Sequence, residues 1–442
     1  MAHKRIIGLA AVAAVALAGL GVFGASAAPP TGTDASEVIH WNQLAATTLA
    51  AIPGPNGGAP PAFQINMGMV QGAVYDAVNA IGPKEHRPYL LHRRAGAKAS
   101  IDAAAATAAY DVLSHLVSTA PERAPFPGRA GLLSTLATEY AASLTAVADG
   151  SFETQGIKIG HAAAAAMINA RVNDGRFGPS QWVPNPAPGH WQPLAGALDP
   201  TPWVGGVRPF LIQSSSQFRS APPPALNSAQ WAAEFNEVKS LGSITSATRT
   251  ATQTYIARWW QSAPVHSWNE VARQLIARND LDAADSARLL ALQNLSGADA
   301  AINCWNDKYH FDFWRPWNAI PRALEDGRDD TTPDATWAAL ITAPYPGHPS
   351  GHNCLDGAHV AVLRMFFGDD PTGGSFQITS FALNPGGPAV RPFDTFSQPL
   401  AELIEARIWA GLHFRFEDVA GQRLGLNVAN YGAANYFQPV GN

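Results

Sequence analysis

Alanine-rich segments with helical spacing recur along most of this chain, and they restrict it to packed helices. From Met67 the apolar positions Val70, Ala73, Val74, Ala77, Val78 and Ile81 fall three and four residues apart, which makes one face of a helix apolar. Segments at 99–119, 130–148 and 156–173 repeat the pattern, and Val38 to Ala51 opens it. Alanine favours the helix, and short connections between such segments predict an antiparallel bundle. The spacing returns at 229–241, 246–261, 267–277 and 282–314. Two-residue alternation is weak throughout, leaving short strands open only near 205–212 and 376–383. The expected fold is all-α, two packed helical-bundle halves at roughly 35–173 and 229–437 joined by long Pro/Gly-rich loops.

Two stretches interrupt the helices. Asp174 to Ser228 carries many Pro and Gly together with Trp182, Trp191, Trp203 and Phe210, a composition that excludes helix while its aromatics still need burial. A long ordered loop laid over the bundle satisfies both demands. Asp369 to Pro399 is a second such loop, placed as a lid or entrance wall before the last two helices. The chain divides at 28–228 and 229–442, with the candidate site in the second part.

The start of the chain reads differently. His3-Lys4-Arg5, an apolar run from Ile6 to Phe23 and Ala25-Ser26-Ala27 describe a secretory signal peptide over 1–27, cleaved near Ala27. The expected product is secreted, with no membrane attachment after signal cleavage. The full chain of 442 residues has 47% hydrophobic and 14% charged residues, enough to bury a large core. Net charge is −5, and −7 once Lys4 and Arg5 leave, which argues against nucleic acid or an anionic membrane as partner. An anion site must then be a local pocket of Lys and Arg. The two cysteines, Cys304 and Cys354, flank the candidate site, and a disulfide and two buried thiols both stay open.

Three short segments carry the chemistry. In Trp305 to Pro316, Lys308 and Arg315 stand seven apart, which on one helix is one face two turns apart, with Asp312 between them. Trp305, Phe311, Phe313 and Trp314 surround these charges with apolar bulk and imply burial, where unpaired charge is costly. In Pro349-Ser350-Gly351-His352, a glycine-softened turn opens a helix whose free N–H groups suit an anion. In Arg407 to Glu417, His413 follows Arg407 by six, and Glu417 lies one turn later, placed to hold the second ring nitrogen of His413.

Lys-x6-Arg-Pro, then Pro-Ser-Gly-His, then Arg-x5-His resembles the three-part signature of the type-2 phosphatidic acid phosphatase and vanadium-dependent haloperoxidase superfamily, here over Trp305 to Glu417. Met69 to Ile81 and Trp203 to Pro224 are similar to the helical N-terminal part of secreted bacterial haloperoxidase-like proteins. The resemblance implies that Lys308, Arg315 and Arg407, with the Ser350 hydroxyl and the Gly351 N–H, hold the oxygens of vanadate or phosphate. It implies that His413 is the axial vanadium ligand, or the nucleophile of a phosphatase, and that His352 is the acid–base group.

Departures from the pattern are Ala406 where serine is usual before the arginine, Glu417 where aspartate is usual, and His348 where tyrosine is usual. His348 is either a second imidazole beside the acid–base group and halide or a structural residue. Tyr345 occupies the place that the family associates with halide preference. The expected activity is that of a secreted vanadium-dependent haloperoxidase, with vanadate as cofactor and hydrogen peroxide, halide and a small organic acceptor as partners. Trp305 and the length of the chain favour it over the alternative, an acid phosphatase working through a phosphohistidine at His413. A non-catalytic oxyanion-binding protein ranks third, because both histidines are present. The family resemblance leaves a homodimer open.

Overall fold

In the computed structural model the described residues are 35–440, apart from 55–58, 83–85, 122–125, 180–181, 195–198, 200, 372 and 383–384. The signal peptide expected over 1–27 lies outside them. The first helices are α1 (Ser36–Ala50), α2 (Pro60–Asn79), α3 (Ile101–Thr119), α4 (Arg129–Thr145) and α5 (Ser151–Ala170). After the long loop come α6 (Ala229–Leu241), α7 (Ala251–Trp259), α8 (Pro264–Arg278), α9 (Ala283–Phe311) and the single turn α10 (Pro316–Ala319). The chain closes with α11 (Gly351–Phe367), α12 (Ser397–Trp409) and α13 (Arg415–Asn435). The one sheet among the described residues is a two-stranded antiparallel ribbon, β1 (Phe376–Thr379) with β2 (Val390–Phe393), in which Phe376 stands opposite Phe393. The stretch 205–212 forms no strand and instead runs from the 3-10 turn at Pro202–Gly206 into irregular bends. No helix among the described residues is long and apolar enough to cross a membrane.

The helix at the centre is α9. Asp282 caps its start by accepting the Asp285 N–H, and it packs along α2 on one side and along α11 and α13 on another. Because it is surrounded, many of its polar residues, Gln293, Asn294, Asp299, Asn303 and Asp307 among them, are buried, and each then needs a partner. Asn294 exchanges amide bonds with Asn269 of α8, which Asn42 of α1 joins at 2.8 Å, while Gln64 of α2 bonds the Asn294 carbonyl and His359 of α11. One amide network therefore ties five helices together. Burial holds the His359 imidazole down to about 3, so it enters that network neutral.

Further along α9 a second polar stripe holds the long loop. Asp299, Asn303 and Asp307 are spaced four apart and so share one helix face. Asp299 accepts the backbone N–H groups of Phe210, Leu211 and Ile212 at 2.6–2.8 Å. Asn303 accepts that of Phe218, and Asp307 takes the Ser220 N–H and the Arg219 guanidinium. Asp76 of α2 does the same for Tyr89, Leu90 and Leu91. A Pro/Gly-rich segment that cannot satisfy its own backbone is thus satisfied by carboxylates that the helices supply. Close approach completes the frame on the other side, where a Cβ at Gly425 of α13 would lie 2.2 Å from the Cys354 carbonyl of α11.

Replacing Asp299 tests this account. Asp299→Ala leaves three buried N–H groups without an acceptor, and we expect a loss of about 3 kcal/mol or more in chemical denaturation. Trypsin should then cut at Arg208 or Arg219 before other sites. Unchanged stability and unchanged cleavage order would refute the role given to this carboxylate.

Candidate active site

Where α9 stops decides how the site is built. The helix ends at Phe311, and Asp312 turns into the left-handed region at φ 48°, so Lys308 and Arg315 do not share a helix as their spacing predicts. Lys308 stays on α9, whereas Arg315 is the N-cap of α10 and points back toward the same place from a separate turn. Asp312 is likewise removed from between them. Its carboxylate accepts Trp182 Nε1 at 2.9 Å and pairs with His190 Nδ1 at 3.0 Å, and its carbonyl accepts the Trp191 N–H. Asp312 therefore anchors the long loop and touches neither cation.

Lys308 is wholly buried, and its three ammonium protons are all committed. Nζ donates to the carbonyls of Pro346, Gly347 and Pro349 at 2.9, 2.9 and 2.6 Å. Burial and then the Arg315 charge bring its pKa down to about 8. The ammonium thus clamps the turn before α11 and supplies charge, and a direct bond to an oxyanion oxygen would require one carbonyl to be released. Arg315 donates through Nε to the Tyr345 carbonyl and through Nη1 to the Leu412 carbonyl, leaving Nη2 buried without a partner. Arg407, on α12, donates through Nη1 to Trp260 O, and its Nε is likewise buried and unpartnered.

His413 lies between these guanidinium groups and Glu417. Its Nδ1 is 2.6 Å from Glu417 Oε2, and the Phe414 N–H reaches the same oxygen, which makes that oxygen an acceptor and Nδ1 the protonated nitrogen. Nε2 is then a lone pair facing Arg315 Nη1 at 2.9 Å. Burial, followed by Arg315, Lys308 and Arg407, holds the His413 pKa well below its usual value, so the ring stays neutral. Burial pushes the Glu417 carboxyl up, against the pull of Arg315 and Lys308. A neutral imidazole whose Nδ1 proton is held by a carboxylate, leaving the Nε2 lone pair free, suits a metal ligand or a nucleophile.

The turn Pro349 to His352 completes the site. Ser350 is the N-cap of α11, and its N–H bonds the Glu417 carbonyl at 2.9 Å, which sets the starts of α11 and α13 side by side. Gly351 lies under Trp305, where a Cβ would come 3.2 Å from the indole ring. His352 is held by the Ser262 carbonyl, and its Nε2 is buried and unpartnered. Burial and then Arg407 depress its pKa well below the usual value. His352 and Tyr345 retain partial exposure, whereas Lys308, Arg315, Ser350, Arg407, His413 and Glu417 are buried. The Tyr345 ring lies against Trp305 and over both Lys308 and Arg315, at 5.1 and 5.3 Å from their charged groups.

His348 is on a different side of this turn. Its Nε2 bonds the Ala221 carbonyl at 2.9 Å, its ring packs on Phe311 and Phe416, and it borders a cavity of about 720 Å³ beside α13. Burial holds its pKa near 3, as befits a neutral packing histidine. On the opposite side Trp305 forms the back of a cavity of about 550 Å³ with Trp182, Trp203, Asn306 and Tyr309. Cys304 and Cys354 face each other from α9 and α11 with sulfurs 2.6 Å apart and no disulfide between them.

Sequence reasoning passed over Gly347, Asn353, Asp356 and Asp418. Trp268 Nε1 donates to Asp356, beside Arg407, and Asn353 donates to Asp418 at 2.8 Å. Asp418 follows Glu417 directly, and an acid pair in the first turn of a helix reads as exposed dipole complement. The signal against that reading is the apolar company of Phe414 and Phe416. Gly347 carries no sequence signal beyond being glycine. In the structure a Cβ there would lie 2.4 Å from Glu417 Oε1 and 3.0 Å from the Trp314 carbonyl.

Three buried cations with unpartnered Arg315 Nη2, Arg407 Nε and His352 Nε2, set around a neutral histidine acceptor, fit an anion with several oxygens. Residues 288–441 match the family model described as the VCPO second helical-bundle domain. The chain is 23% identical to the vanadium chloroperoxidase of Curvularia inaequalis, over 89% of this chain and 81% of that protein. It superimposes on the crystal structure of a bacterial vanadium-dependent iodoperoxidase with TM-score 0.72 and 22% identity, covering 92% of this chain and 97% of that one. A holo-type bacterial vanadium-dependent chloroperoxidase gives TM-score 0.68 and 18% identity, covering 92% and 98%.

Gly347→Ala tests the packing of His413 against Glu417. The new methyl group must displace Glu417, and we expect about 100-fold lower turnover from misplacing His413, with a fold destabilised by about 1–3 kcal/mol. Wild-type turnover in this variant would show that Glu417 does not orient His413.

Proposed function

The chain belongs to the vanadium-dependent haloperoxidase family, and from that membership we propose that it is an exported enzyme that uses bound vanadate and hydrogen peroxide to oxidise halide. The observation that carries this reading is the neutral His413 Nε2 placed among Lys308, Arg315 and Arg407, with guanidinium donors left over for an anion. Export rests on the leader-like start of the chain, and an N-terminus near Ala28 on exported protein would support it.

His413 Nε2 would hold the vanadium, released from Arg315 Nη1 as that guanidinium turns to an oxygen of the anion. Arg315 Nη2, Arg407 Nε and the Gly351 N–H are the donors available to the remaining oxygens, and the Lys308 charge supports them. Bound vanadate supplies Lewis acidity toward peroxide without changing its own oxidation state. The protein does the rest. His352, neutral and partly exposed, takes a proton at Nε2 from the incoming peroxide and returns it to the departing oxygen, and Arg407 beside it keeps it from holding that proton for long. Glu417 keeps the His413 proton on Nδ1 throughout, so the lone pair stays on Nε2. Tyr345 lies against Trp305 and over the two cations, and the position that the family associates with halide preference would make it the residue a halide meets.

Protein freed of vanadate should not halogenate monochlorodimedone with peroxide and halide, and adding vanadate should restore the reaction. His413→Ala should abolish that restoration, and full activity in the variant would remove the mechanism. Rapid hydrolysis of p-nitrophenyl phosphate without halogenation would instead select the phosphohistidine alternative. His352→Ala should retain vanadate yet lose about 100- to 10,000-fold in turnover, the usual range for a general acid–base group. An equal loss of vanadate affinity would reassign His352 to binding.

A further inference from the structure

The carboxyl group of Asp418 is buried beside the site, and no step above uses it. Asn353 Nδ2 donates both to Ser350 Oγ at 3.2 Å and to Asp418 Oδ1 at 2.8 Å, so one amide holds the serine hydroxyl and the aspartate together. Gln422 Nε2 bonds Asn353 Oδ1 at 2.8 Å, which fixes the direction of that amide. The Ser350 hydroxyl favours the ionised form of Asp418, and Asp418 Oδ2 is buried with no hydrogen-bond partner, which leaves that oxygen open to the serine. That oxygen must receive the serine proton or carry a proton of its own.

Ser350 has one proton to give, and its oxygen already accepts from Asn353. An ionised Asp418 only accepts, so it takes the serine proton and leaves Ser350 with nothing but lone pairs for an anion. A protonated Asp418 donates to Ser350 Oγ and frees the serine O–H to donate to the anion. We propose that Asp418 is a positioning residue of the oxyanion site, its carboxyl group deciding whether the Ser350 hydroxyl donates to bound vanadate or phosphate. This rests on the oxyanion reading of the site given above.

The charged groups around Asp418 are known. Arg407 of α12 and Arg315 face it and favour its ionised form, Glu417 beside it on α13 opposes ionisation, and Asp356 of α11 stands across Arg407. Burial is the largest influence and raises Asp418 to about 8. The acid is then protonated at neutral pH, Ser350 is a donor there, and the donor is lost as pH rises through about 8. Lys308, brought down to about 8, loses charge over the same interval, so the pH profile of the wild type alone does not separate the two. Asp418→Asn does, because its amide N–H can donate to Ser350 Oγ at every pH as the protonated acid does.

The test is calorimetric binding of inorganic phosphate and of vanadate to the full chain at about pH 6.5 and about pH 9. Wild type and Asp418→Asn should bind alike at the lower pH. At the higher pH the wild type should be about tenfold weaker than the variant, the size of one hydrogen bond to a charged group. Ser350→Ala provides a second measure should the first variant fail to fold. It should cost about tenfold at the lower pH and little at the higher. Parallel pH profiles for wild type and Asp418→Asn, or a Ser350→Ala penalty that is constant with pH, would overturn the proposal while leaving the oxyanion site standing. If neither anion binds the wild type at either pH, the site and the proposal fall together.

Discussion

A buried ammonium must spend its donors, and much of this active site follows from how Lys308 spends its three. By binding the carbonyls of Pro346, Gly347 and Pro349 it fastens the turn before α11 to the end of α9. That contact brings Ser350 and His352 to the same place as Arg315 and His413. Burial raises the pKa of the neighbouring Glu417, Asp356 and Asp418 carboxyls and disfavours their charged forms, so the positive charge left at the junction calls for an anion that the unpartnered guanidinium donors can accept. Near-closed local wiring with a few open donors is the arrangement that an oxyanion pocket needs.

The same requirement, that buried polar groups find partners, operates through the rest of the fold. The Asp299, Asn303 and Asp307 stripe of α9 hands its carboxyl and amide oxygens to the long loop, and Asp312 at the end of that helix takes Trp182, His190 and the Trp191 N–H. One helix therefore positions both the cation that anchors the site and the loop that carries Trp182 and Trp203 to the cavity beside it. Interior asparagine and glutamine join five helices into the frame on which this precision rests.

The helices were legible because their apolar faces repeat at 3.6 residues, and Ala229–Leu241 is found at the limits its periodicity sets. The three motif segments were legible because rare residue types recur there at family spacing, and the structure brings them into contact with one another. What failed was geometry that spacing alone cannot carry. Seven residues between Lys308 and Arg315 suggest one helix face, yet Asp312 adopts the left-handed conformation between them, and the two cations meet by a turn. Asp312 looked like a site carboxylate because it stands between two cations in sequence, and the turn carries it to Trp182 and His190. Asp418 carries no motif of its own, and the neighbouring Phe414 and Phe416 are the one local sign that this helix-start acid is buried.

By itself the sequence determined the helical class, the ordered loops, and which segments carry the cations and imidazoles of the candidate site. These depend on composition and period, which are local properties of the chain. Only the tertiary structure decided that Lys308 clamps a turn with all its donors, that His413 is a neutral ring with its lone pair on Nε2, that His348 packs apart from His352, and that Asp418 meets Ser350. These depend on which groups share a buried space, and burial is settled by contacts between segments far apart in the chain.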